Sequence, residues 1–266
     1  MDFNNKTVLV TTGLIAGRLG VSSSFGAPAE ALEEAFERGC NYFTWGTFIK
    51  GRSSQMAMAI KNICAKGQRD NLILAMLSYT HSALLTEISI KKGLRVLGLD
   101  YADLLILGYF SKRPPQRVID GAQKLVDQGL VRFIGITSHN RKLFPGLQHE
   151  KTFDIFHVRY NAVHSGAEQD IFPYLQKESR PGIVSFTGTC WKRLLNPKKM
   201  PAGEVAPTAA DCYRFVLTNP SVDICMMGAK DIEQMRENLS VLEQGPMSGA
   251  ELDRMRRIGD FIHTGN

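Results

Sequence analysis

Apolar residues follow two alternating rhythms along this chain. Short, nearly continuous apolar runs fall at residues 18–21, 41–44, 72–77, 103–107, 133–136, 155–158, 183–186 and 223–227. Runs of this length suit strands buried on both faces. Between them, apolar residues recur every three or four positions. Leu32, Ala35 and Phe36 form one such stripe before Gly39, and Met56, Ile60 and Ile63 form the next. Ile90, Leu94 and Leu97 precede Gly98, and Val118, Ala122, Leu125 and Val126 precede Gly129. A stripe closed by glycine predicts an amphipathic helix with its stop. Thr208 with Asp211, and Ser248 with Glu251, have capping-box spacing ahead of two further helices.

About eight strand–helix units predict an α/β protein, a (β/α)₈ TIM barrel occupying residues 1–266 as one domain. Residues 7–10 and 14–15, joined through Thr11, Thr12 and Gly13, predict an N-terminal β-hairpin that could plug the barrel. In such barrels, ligand sites lie at the carboxyl ends of the strands. The residues to question are therefore those that follow each apolar run.

Composition narrows the class. With 266 residues, 44% hydrophobic and 22% charged, the chain can fill one large core. The net charge of +6 suits either a solvated basic surface or attraction to a nucleotide phosphate. No dense Lys/Arg block interleaves with aromatics, so nucleic acid is not an expected partner. No run approaches the length of a membrane span, and no apolar leader follows Met1. Five cysteines without a Cys-x-x-Cys pair suit free thiols in a reducing, cytoplasmic setting. Zinc spacings, a P-loop and a Gly-x-Ser-x-Gly elbow are all missing from the sequence, and no metal is expected.

Three stretches carry a resemblance. Asp103-Leu-Leu-Ile-Leu is followed by Leu125-Val-Asp-Gln-Gly-Leu-Val-Arg-Phe-Ile-Gly-Ile-Thr-Ser. Next come Val158-Arg-Tyr-Asn and then Met227-Gly-Ala-Lys-Asp-Ile-Glu-Gln-Met-Arg-Glu-Asn. In this order and spacing the chain resembles the aldo/keto reductases over nearly its whole length. The resemblance implies a nicotinamide dinucleotide, NADP or NAD, at the carboxyl face of the barrel. It also implies carbonyl reduction by a tetrad. A tyrosine gives the proton, a lysine lowers its pKa, an aspartate pairs with the lysine and a histidine orients the substrate.

Position by position, the tetrad does not carry over. Its aspartate falls on Thr44, its tyrosine near Ile49 or Lys50, its lysine on Leu77 and its histidine on Gly108. Nearby substitutes are Tyr109, a rim or packed aromatic by the alternation of strand faces, and His157. Tyr79 and His81 are also close, and Tyr42 is expected to be a core or helix-facing residue.

The cofactor half of the match is better kept. His157 stands where the resemblance implies a carboxamide contact, and a structural strand histidine is the equal alternative. Thr137 and Ser138 match a carboxamide-holding pair, and Phe186 matches the aromatic that stacks on nicotinamide, though an inward strand-end aromatic is also ordinary core. Lys192 and Arg193 match the pyrophosphate region or are a plain basic loop. Gly228, Ala229 and Lys230 precede a helix start able to hold phosphate. Asp231 at the N-cap and Gln234 weaken the case for a 2′-phosphate. Glu237 and Asn238 match an adenine-holding pair.

The expectation is thus an aldo/keto reductase-like protein that binds a nicotinamide dinucleotide without the standard tetrad. The alternatives are an oxidoreductase that uses substitute acids and a cofactor-free interaction module. The substrate stays open.

Overall fold

Each predicted apolar run becomes a strand of one closed parallel barrel. The computed structural model describes residues 2–48, 53–176 and 178–265. A hairpin comes first, β1 (Thr7–Leu9) and β2 (Leu14–Ala16). The barrel begins with β3 (Leu19–Ser22), α1 (Ala29–Glu37), β4 (Tyr42–Trp45) and α2 (Ser53–Ala65). It continues with β5 (Ile73–Ser78), α3 (Ala83–Leu97), β6 (Ala102–Gly108) and α4 (Gln116–Asp127). Next are β7 (Val131–Ser138), α5 (Phe144–Glu150), β8 (Ile155–Arg159), α6 (Ala167–Asp170) and β9 (Gly182–Phe186). It closes with α7 (Ala209–Thr218), β10 (Ile224–Met227), α8 (Ile232–Leu239) and α9 (Gly249–Thr264). The eight strands from β3 to β10 pair in chain order, and β10 closes onto β3.

The predicted strands hold to within about two residues at each end, the usual uncertainty of a boundary. Both capping boxes form. The crossover from β8 to β9 departs from a full helix. It has only the four-residue α6 and a 3₁₀ turn at Phe172–Tyr174.

Two apolar layers result. One lies between strands and helices, with Phe43, Trp45, Leu105, Phe156 and Phe215 inside it. The other fills the barrel lumen, with Tyr42, Ala75, Leu104, Ile106, Val184 and Ile224. Leu9 and Ala16 of the hairpin join the lumen cluster, so the hairpin does plug the amino-terminal end. It is pinned by Thr11 Oγ1 donating to the Asp154 carbonyl (2.8 Å) and by Asn41 Nδ2 donating to the Ile15 carbonyl (3.0 Å).

Polar side chains clasp the strands at that same end, two by two. The Asn41 side-chain oxygen accepts from Gly17 N (2.9 Å), which joins β3 to β4. Asp103 accepts from Leu74 N (2.9 Å), joining β5 to β6. Asp154 accepts from Ile134 N (3.1 Å), joining β7 to β8. Asp223 accepts from Ile183 N (2.7 Å), joining β9 to β10. Two of these buried carboxylates also form ion pairs: Asp103 with the largely buried Arg69 and the exposed Arg132, and Asp223 with the largely buried Arg180. All four clasps stand at the end opposite the expected site. They satisfy buried backbone donors that would otherwise be costly to leave unpaired.

Candidate functional site

At the carboxyl end the strands open on a cavity of about 410 Å³. Strand alternation explains its lining. Thr44, Leu77, Thr137, His157, Phe186 and Met226 come from the inward-facing set of their strands. Lys192, Gly228, Lys230, Gln234, Glu237 and Asn238 line its far side. Most residues singled out from the sequence therefore meet in one space.

Four do not share in it as expected. The Ser138 hydroxyl donates to the Phe110 carbonyl (2.6 Å) and accepts from Asn140 N (2.9 Å), so it holds a loop. Arg193 reaches away, donating to the Ile262 carbonyl (2.7 Å) in the last turn of α9. A cation there also suits the helix dipole. Ala229 is buried as packing. Gly108 lies beneath the Tyr79 ring, which occupies the space a Cβ at 108 would need. The matched position of the family tyrosine, Ile49 or Lys50, lies outside the described residues.

The cavity floor is neutral and hydrogen-bonding. Thr44 and Thr137 both line it, and among the described residues neither hydroxyl has a protein partner. His157 is fully enclosed below, where its Nε2 lies 2.8 Å from the Tyr42 hydroxyl. Burial holds the imidazole pKa down at about 3, so the ring is neutral near pH 7. Burial also pushes the Tyr42 phenol well above its usual value. Tyr42 is therefore a lumen residue, two positions before Thr44 and on the same strand face. The sequence contained that signal in its period of two.

On one side Tyr79, Tyr109 and Phe186 line the cavity as members of a column of rings that the sequence did not reveal. Phe48 meets Tyr79 with centroids 4.6 Å apart, and Tyr79 stacks on Tyr109 at 4.8 Å. Tyr109 lies parallel to His139 at 5.0 Å, and His139 meets the Phe186 edge at 5.7 Å. Such contacts are favourable beyond area burial. They help hold Tyr109 at φ 51°, a left-handed conformation that non-glycine residues rarely adopt. Burial raises the Tyr79 pKa, and the neighbouring Tyr109 adds to the rise.

The loop after β9 is strained. Cys190, Trp191 and Lys192 run consecutively at φ 49°, 51° and 67°. Each left-handed residue costs about 1–2 kcal/mol. Cys190 N donating to the Thr187 carbonyl (2.8 Å), buried Leu194 and the Arg193 anchor hold the turn. Its effect is to leave Trp191 exposed while Lys192 borders the cavity. Arg159, at the end of β8 and level with Phe186, was also not foreseen. Burial first, then the nearby Arg141 cation, lowers its pKa.

At the far end, α8 satisfies its own first turn. Asp231 accepts from Gln234 N (2.8 Å), and the Gln234 side-chain oxygen accepts from Lys230 N (3.2 Å). Asn238 Nδ2 donates to the Gly228 carbonyl (3.1 Å). The Phe25 ring packs on Gly228, where a Cβ would collide with it.

The five cysteines are free thiols, as the sequence suggested. Burial pushes Cys40 up to about 12. Among the described residues no cluster could hold a metal, and no helix is long and apolar enough to cross a membrane.

A closed eight-stranded parallel barrel, capped below by a hairpin and open above on an aromatic cavity, defines the class as a (β/α)₈ protein. Residues 17–187 match the aldo/keto reductase family, and the chain belongs to it. Among solved structures it is similar to an aldo-keto reductase of Bacillus halodurans in its holo form. That match has 19% identity, 96% of each chain covered and a TM-score of 0.77. It is also similar to an aldo/keto reductase of Klebsiella pneumoniae in complex with NADP and acetate, with 19% identity, 96% of each chain and a TM-score of 0.79. A Klebsiella pneumoniae aldo-keto reductase in complex with NADPH has 18% identity and a TM-score of 0.75, with 96% of this chain and 95% of that one covered. No curated protein sequence matches the chain significantly.

Proposed function

We propose that the chain binds a nicotinamide dinucleotide, NADP(H) or NAD(H), in this cavity, and that the standard tetrad of its family is missing from it. The observation that carries the reading is the single space that gathers Thr137, His157, Phe186, Lys192, Gly228 and Asn238. The relatives bound to NADP or NADPH support it through a shared fold.

The residues fit such a ligand best at its nicotinamide end. Phe186 offers a half-buried ring, and the floor offers hydroxyls and an imidazole with unused hydrogen-bonding capacity. Lys192 and Lys230 offer charge for phosphate, and Phe25 must turn aside before a ligand can approach Gly228. The dinucleotide, when bound, supplies a hydride. Proton delivery by this chain is poorly provided for. His157 is neutral and enclosed, so it can give a hydrogen bond but is a weak acid. The charged residues among the described cavity lining are Lys192, Lys230 and Glu237, all from the β9 and β10 loops and α8 rather than the ring column.

Isothermal titration with NADPH and NADH tests the reading, and both are expected to bind. Phe186→Ala should weaken binding about tenfold, equivalent to roughly 1.4 kcal/mol, through loss of the stacking face. Failure of both nucleotides to bind at about millimolar concentration removes the proposal. A second expectation concerns the 2′-phosphate. Asp231 occupies the Gln234 N–H at the start of α8 with its own negative charge, so NADPH and NADH should bind within about fivefold of each other. Asp231→Ala combined with Gln234→Arg should favour NADPH by a further tenfold or so. An unchanged ratio would place the 2′-hydroxyl elsewhere.

A further inference from the structure

The Tyr42 hydroxyl has one hydrogen-bond partner among the described residues, His157 Nε2 at 2.8 Å, and Tyr42 is fully buried. A phenol hydroxyl can donate or accept, and neutral imidazole carries its proton on one nitrogen only. Two arrangements satisfy the distance. In one, Nε2 donates to the phenol oxygen and the phenol proton is left buried without an acceptor. In the other, the phenol donates to Nε2 and every polar hydrogen of the pair is used. An unsatisfied buried donor is the costlier outcome. The second arrangement is therefore favoured, and it moves the imidazole proton to Nδ1. That nitrogen has no protein partner among the described residues, and His157 borders the cavity.

We propose that Tyr42 is a positioning residue that locks His157 in the Nδ1–H tautomer, so that the cavity floor presents a fixed N–H donor and takes a carbonyl oxygen of its ligand. The Thr44 and Thr137 hydroxyls line the same cavity and can donate or accept, whereas the imidazole can only donate. Ligands that place an amide or ketone oxygen there gain a hydrogen bond, and ligands that place an N–H there lose one. Tyr42 is fully buried and His157 is the partner of its hydroxyl among the described residues, so the pair holds a proton in place and does not relay one. The identity of the ligand rests on the nicotinamide reading, but the tautomer is a property of the empty protein.

The test is a ¹⁵N–¹H long-range correlation spectrum of the full chain labelled at histidine, without ligand, near pH 7. His157 is assigned by the signal missing in His157→Gln. Nδ1 should show as the protonated nitrogen and Nε2 as the bare one, and Tyr42→Phe should abolish or mix that pattern. A proton on Nε2 in the unsubstituted protein overturns the proposal, whether or not Tyr42→Phe folds. Titration with nicotinamide mononucleotide then reads the consequence. Tyr42→Phe should weaken binding about tenfold in the His157 protein and by less than about twofold in the His157→Gln protein, whose amide needs no tautomer lock. Equal losses in both backgrounds would reduce Tyr42 to packing and overturn the positioning role. If the mononucleotide binds none of the variants while the tautomer is as stated, the nicotinamide reading fails and the lock stands.

Discussion

Asp223→Ala should lower the melting temperature by roughly 6–20 °C. The carboxylate is 5% exposed, takes Arg180 Nη1 at 2.5 Å and Nη2 at 2.6 Å, and accepts from Ile183 N at 2.7 Å. Arg18, also buried, donates from Nε to the Asp223 carbonyl (2.8 Å) and from Nη2 to the Val222 carbonyl (2.9 Å), and feels the same negative charge. Removing that charge strands two guanidinium groups in the barrel base. Breaking a buried pair from one side costs about 3–5 kcal/mol, and about 1 kcal/mol corresponds to 2–4 °C in a chain of this size. Asp223→Asn keeps an acceptor for Ile183 and should lose less. The exposed pair Arg38–Glu243 is the control, and Glu243→Ala should change stability by no more than about 1 kcal/mol. Calorimetry on the three variants decides. A drop of under about 2 °C for Asp223→Ala would show that the base is held by packing alone.

Acid should destabilise the fold through His157. Its folded pKa lies at about 3 because burial disfavours the charged ring, against an ordinary value near 6.5. The folded state therefore refuses a proton that the unfolded chain accepts. Stability from this group is complete above about pH 6.5 and declines as pH falls toward 3, at about 1.4 kcal/mol per pH unit. Integrated over that window the loss has a ceiling of about 5 kcal/mol. His164 is drawn down to about 4, first by burial and then by the cations Arg159, His263, Arg193 and Arg141, and adds to the same slope. It is only partly enclosed, so solvent screens its share. Urea unfolding of the parent and of His157→Gln at several pH values between about 4 and 7 measures the difference. The two curves should converge above pH 7 and separate below 6. Parallel curves would mean that His157 is hydrated or charged in the folded protein.

The barrel was legible because its strands are buried on both faces and its helices on one. That contrast is written directly as continuous and periodic apolar runs. Where the contrast is missing, the elements were not foreseen. Pro145 and Gly146 interrupt any stripe in α5, and α6 has only four residues. The clasps were hidden because Asn41, Asp103, Asp154 and Asp223 look like turn residues until the neighbouring strand is in place. Strand alternation brought Thr44, Leu77, Thr137, His157 and Phe186 to one cavity, as matching by position had implied. The same alternation gave no hint that Ser138 would spend its hydroxyl on a loop or Arg193 its guanidinium on the last turn of α9. Nor could it show the ring column, which joins five separate strand ends and depends on the left-handed backbone at Tyr109.

The four clasps divide the cylinder into paired staves, β3 with β4, β5 with β6, β7 with β8 and β9 with β10. Side-chain grips on a neighbour's backbone N–H fasten the two members of each stave at the base, and Asn41, Arg132 and Arg18 add side-chain ties across the β4–β5, β6–β7 and β10–β3 joints. Loops above those joints can lengthen, shorten or change sequence without disturbing any grip. A barrel fastened in this way can rebuild its upper mouth while its foundation stays fixed.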